Sequence, residues 1–133
     1  MNRIKITVNL CMIKGCFMIA LAVFHNAYIL MMAGEKLRPF MPKELSDEFI
    51  LWFFVGGIYF AFIGVVDILS GLGLKKLIQW AWNTAFASAV FTIAGSAIGI
   101  AVFKQGPPIA IAFFGIIQII PLILYRKQLP LKA

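Results

Sequence analysis

One histidine, two cysteines and five acidic side chains among 133 residues leave little material for a catalytic or metal centre. Haem held by two axial imidazoles cannot come from a single copy of this chain, although a homodimer would supply one from each protomer. A zinc site fails for want of ligands. Cys11 and Cys16 have neither C-x-x-C nor metal-ligand spacing, and they read as reduced packing residues. No glycine-rich phosphate loop, nucleophile elbow or paired-carboxylate constellation is visible, so the sequence assigns no catalytic residue, no metal and no cofactor. Charge is scarce too: 13% of residues carry one, against about 25% in an ordinary soluble domain.

What is present is apolar. Hydrophobic residues make up 62% of the chain and its mean hydropathy is +0.97, so the expected solvent is a bilayer. A hydrocarbon core about 30 Å thick is crossed by about 20 helical residues. The chain therefore has room for an all-α integral membrane four-helix bundle of antiparallel up-down topology, in a single domain, with spans near 10–32, 49–70, 78–103 and 108–125.

Arg3 and Lys5 precede the first span in the manner of a signal peptide. The apolar run that follows is long, is broken by Lys14 and lacks small residues before a cleavage point, so it reads as a retained helix. The segment 33–49 is the most polar of the chain, and Pro39 and Pro42 make it a loop. Ser46 is the expected N-cap of the second helix, with Asp47 and Glu48 at the positive end of its dipole. SGLGLKK reads as a turn before Trp80 and Trp82, which with Trp52 mark interfaces. Gly95 and Gly99 form a G-x-x-x-G packing step beside the hydroxyls of Ser88, Thr92 and Ser96, a step that would serve either the bundle or a dimer. KQGPP makes the last hairpin, and Pro121 is expected to kink the end of the fourth helix.

The stretch KGCFMIALAVFHNAYILMM, 14–32, holds the polar groups that matter most. Eleven steps of about 100° complete roughly three turns, so Lys14 and His25 share a face with Met18, Leu21 or Ala22, Tyr28 and Met32. Ionisable groups in hydrocarbon turn towards protein, which makes this stripe the inner face. In an antiparallel second helix Asp67 lies level with Lys14, and Gly56, eleven residues before Asp67, lies level with His25. Three readings follow for Lys14 and Asp67: snorkelling to the interfaces, a structural ion pair, or a proton or ion site. For His25 they are a hydrogen bond to a carbonyl or hydroxyl such as Ser96 or Thr92, or contact with a ligand in a site formed by His25, Tyr28, Gly56 and Ser96.

Lysine and arginine sort eight to four between the two sides: Arg3, Lys5, Lys14, Lys75, Lys76, Arg126, Lys127 and Lys132 against Lys36, Arg38, Lys43 and Lys104. Both termini are then cytoplasmic. The net charge of +7 is this topology signal and not a nucleic-acid footprint, and anionic lipid headgroups are its natural partner. Two function classes remain: a structural or accessory membrane subunit, as a homodimer or within a larger complex, and a redox-linked or small-ligand (quinone or lipid) binding protein using His25. A transporter is the lesser alternative, since the small multidrug exporters carry a glutamate in their first helix and this one has none.

The arrangement of FHNAYI in helix one, an outer loop, WFFVGG in helix two, KQGPP and a basic YRK tail resembles small uncharacterised four-helix bacterial membrane proteins of a DoxX-like kind. The resemblance implies a four-helix bundle in the bacterial cytoplasmic (inner) membrane. It also implies an association with quinone or thiol redox partners.

Overall fold

A computed structural model of the chain describes residues 2–33, 43–103 and 107–128. Within them lie four helices: α1 (Asn2–Ala33), α2 (Lys43–Lys75), α3 (Gln79–Phe103) and α4 (Pro107–Tyr125), the last running into a 3-10 turn at Arg126–Gln128. Each contains a segment long and apolar enough to cross a membrane: Ile4–Met31, Ile50–Lys75, Gln79–Ala101 and Pro108–Tyr125. The proline-bearing loop and the KQG turn lie outside the described residues.

The first two helices outrun the apolar stretches that announce them. Hydropathy marks where lipid-compatible sequence starts, whereas backbone hydrogen bonding continues wherever no residue interrupts it. So α1 begins at Asn2, well before Leu10, and α2 begins at Lys43, which puts Ser46 inside the helix and not at its cap. At its other end α2 runs through Gly71 and Gly73 to Lys75, and the connection shortens to Lys76–Ile78. There Leu77 N–H donates to the Leu74 carbonyl at 3.0 Å and Ile78 N–H to the Gly73 carbonyl at 3.1 Å, with Leu77 at φ 61°. These two bonds are a Schellman cap with leucine in the left-handed position that glycine usually fills.

Packing is tightest between α1 and α2. A Cβ on Gly15 would stand 2.8 Å from the Gly64 carbonyl oxygen, and one on Gly64 would stand 2.8 Å from the Gly15 carbonyl oxygen. Only two facing glycines allow the backbones this close. Further along, a Cβ on Gly57 would overlap the Asn26 amide, while Gly71 faces Met12 and Cys11. Gly95 packs on Tyr59 of α2 and Gly99 on Pro108 of α4, so both glycines of the G-x-x-x-G step are occupied within one chain.

At one end the core is apolar, formed by Cys11, Leu74, Ala81, Trp82, Ala85 and Leu122. Trp82, expected from sequence at a membrane interface, points inward at 6% exposure, and its indole N–H donates to the Leu122 carbonyl at 3.1 Å. The Arg126 guanidinium lies 4.5 Å from the centre of its ring, within cation–π range. The α4 helix continues through Pro121 to Tyr125 before tightening into its 3-10 turn. Trp52 and Trp80 face outward, as do Phe24, Met31 and Ile98, so large apolar side chains cover much of the exterior while Lys14, Asp67 and Gln118 lie inside.

Candidate functional site

One layer in from the apolar end, each helix contributes a polar side chain to a common point. Lys14 comes from α1, Asp67 from α2, Ser88 from α3 and Gln118 from α4, and none is more than 2% exposed. Lys14 Nζ lies 2.9 Å from Asp67 Oδ2. It also donates to Gln118 Oε1 at 2.6 Å and to Ser88 Oγ at 3.3 Å. An ammonium has three hydrogens, and here it has three neighbours. The approach to Oδ2 falls outside hydrogen-bond geometry, so that contact is one of charge.

Gln118 completes the centre. Its Nε2 donates to Asp67 Oδ1 at 2.9 Å and to Cys11 Sγ at 3.3 Å, while its Oε1 faces the lysine. The opposite amide orientation would set oxygen against carboxylate and NH2 against ammonium, so the network fixes the assignment. The result is an electroneutral cluster with every helix tied to the others. Burying such charges is tolerated only when they are paired and hydrogen-bonded; here the two are paired, Lys14 donates two hydrogen bonds and Asp67 accepts one through Oδ1.

The hydroxyls of α3 continue away from this point. Thr92 Oγ1 donates to the Ser88 carbonyl and Ser96 Oγ to the Thr92 carbonyl, each at 2.7 Å, so these side chains satisfy themselves within their own helix. Ser96 makes no hydrogen bond to His25, whose ring bonds the Phe53 carbonyl instead. Tyr28 is turned outward, being 53% exposed. The reason is angular: the buried positions of α1, Thr7, Cys11, Lys14, Met18, Ala22 and Ile29, centre about 45° to one side of Lys14, which places Tyr28 about 85° off that centre at 100° per residue.

His25 sits on the edge of the same stripe, partly buried against α2. Its Nε2–H donates to the Phe53 carbonyl at 3.0 Å, an oxygen that can only accept. The imidazole stacks on the Phe53 ring, with centroids 5.0 Å apart and an 8° tilt, and meets the Phe60 ring edge-on at 5.6 Å. A Cβ on Gly56 would lie 3.7 Å from Nε2, so the histidine does face a glycine of α2. With Trp52 these residues line a shallow cleft of about 120 Å³.

Of the residues singled out from sequence, Lys14 meets Asp67 and His25 meets Gly56, while Gly95 and Gly99 pack against separate helices. Gln118 and Ser88 were not foreseen in this centre. The signal for Gln118 was available: it is the lone amide in the apolar run FFGIIQIIPLILY. Cys11, buried beside it, and Cys16, exposed, do not act as a pair. Comparison of the chain with protein-family models, with curated proteins and with solved structures finds no match.

Proposed function

We propose that this chain is a small antiparallel four-span protein of the bacterial inner membrane, with both termini cytoplasmic, that serves as a structural or accessory membrane subunit. Large apolar side chains on the outside of all four helices, with Lys14 and Asp67 sealed inside, support a lipid surrounding, since so much exposed apolar surface would be costly in water. The order of contacts supports the up-down arrangement: Cys11 faces Gly71, Gly15 faces Gly64 and Asn26 faces Gly57, so one helix descends as the other rises.

The observation that carries the structural role is the closure of the polar centre. Lys14 at 2% exposure and Asp67 at 0% open to neither lipid nor water; they face each other and are hydrogen-bonded by Ser88 of α3 and Gln118 of α4. A transport site has to open to each side in turn. A centre closed in this way instead fixes how four helices meet.

The test has two stages. Flotation with membranes after alkaline extraction, together with a fluorescent C-terminal fusion, reads insertion and orientation; a chain released by alkali would end the proposal. Chemical crosslinking in intact cells followed by native electrophoresis reads assembly, and migration only as free chain would remove the accessory role.

The His25 cleft supports a second reading, a small aromatic ligand such as a quinone headgroup lying against Phe53 and Phe60. Native mass spectrometry with an absorption spectrum of the same sample tests it. A stoichiometric ligand lost in His25→Ala is the result this reading requires, and a clean apo chain is the result that ends it.

A further inference from the structure

Taking the chain as membrane-embedded, we infer that a groove between the beginning of α1 and the end of α2 binds one anionic glycerophospholipid. The groove measures about 590 Å³, within the usual range for small-molecule sites. Val8 and Met12 of α1 and Leu72 of α2 supply an apolar floor, while Lys5 and Asn9 from α1 and Lys75 from α2 supply polar groups. A diacyl lipid has the same division, with chains for the floor and a phosphate for the lysines.

Charge decides the class of lipid. Among the described residues neither Lys5 nor Lys75 has an ion-pair or hydrogen-bond partner, and Asp67 is committed to Lys14. Asp47 and Glu48 stand at the other end of α2, about 40 Å away at 1.5 Å per residue. The α2 carbonyls at Gly73 and Leu74 are already capped by the turn, so they do not neutralise the lysines. Two cations lining one groove, with no carboxylate beside them among the described residues, select an anion from the membrane.

Native mass spectrometry of the full chain, purified after incubation with equal amounts of phosphatidylglycerol and phosphatidylcholine in mixed micelles, tests the site. A lysine near a membrane surface favours anionic lipid by about fivefold, so the pair gives roughly 25-fold retention of one phosphatidylglycerol over phosphatidylcholine. K5Q/K75Q brings the two lipids to parity, whereas K127Q, a basic residue outside the groove, leaves the preference intact. Equal retention of both lipids by the unaltered chain overturns the site, and so does a preference that survives K5Q/K75Q. Flotation of the same preparations with phosphatidylcholine vesicles separates the two levels of failure. A chain that floats without lipid preference loses only the groove, and one that does not float loses the membrane reading as well.

Discussion

Removing one member of the Lys14–Asp67 pair leaves the other charge sealed among three helices with nothing to neutralise it. Breaking such a pair typically costs about 3–5 kcal/mol, while replacing both members by apolar groups of similar volume is often neutral. Asp67→Asn and Lys14→Met are therefore each expected to lower stability by about 3 kcal/mol or more in detergent-titrated unfolding, and Lys14→Met/Asp67→Leu to lose less than either alone. Additive losses in the double variant would show that the two residues act separately. Gln118→Leu strips a donor from Asp67 and an acceptor from Lys14, and a loss of about 1–3 kcal/mol is expected in the same titration. His25→Ala gives up one hydrogen bond and a ring stack at a half-open position, so about 1–2 kcal/mol is expected there. Sequence made part of this legible. That Lys14 and Asp67 stand level follows from counting turns, but turn-counting left snorkelling and an ion pair both open, and the 2.9 Å contact decides for the pair. Sequence could not reveal Gln118 as the bridge, because a lone amide in an apolar run gives its depth but not which side of α4 faces the bundle. Tyr28 was misplaced for a related reason: the angular position of Lys14 alone does not locate the centre of the buried stripe.

Helices meet where their surfaces permit, and the Gly15–Gly64 contact sets how near α1 and α2 come. Gly64→Val would place methyl groups against the Gly15 backbone, and a loss of about 2–3 kcal/mol is expected from the same unfolding titration, with Gly99→Ala much milder because its nearest neighbour is the Pro108 ring at 3.2 Å. The turn between α2 and α3 offers the opposite sign. Leu77 holds a left-handed conformation that costs an L-residue about 1–2 kcal/mol, so Leu77→Gly is expected to raise the thermal midpoint, provided the capping bonds persist. At this scale, hydropathy located all four helices but not their ends. Polar residues at the start of α1 and glycines near the end of α2 look like boundaries on a hydropathy scale. Neither removes a backbone donor, so neither stops the helix. Gly15 drew no attention in a stretch dominated by Lys14 and His25, and close approach requires both it and Gly64.

For the whole molecule, four apolar helices and an inward-facing polar centre describe a body whose parts depend on one another across the full length of the chain. Sequence alone suggested the number of helices because composition, length and bilayer thickness leave few alternatives. Which helices touch, and through which residues, depends on azimuth and crossing distance, which composition does not encode. A fluorescent reporter fused after the last residue is expected to be active on the cytoplasmic side, and reversing the charges of Lys75 and Lys76 is expected to weaken that orientation. The polar centre also has a history in time. A chain synthesised from its N-terminus produces Lys14 first, and the glutamine that accepts from it lies 104 residues later. Asp67 precedes that same glutamine by 51 residues. Through most of translation the lysine is thus a cation without its full set of partners, and in the proposed membrane setting α1 has no settled place in hydrocarbon until α2 follows it. For the membrane protein proposed above, insertion of the first two helices as a unit, with α4 arriving last to close the cluster, is the order that avoids stranding a charge in lipid.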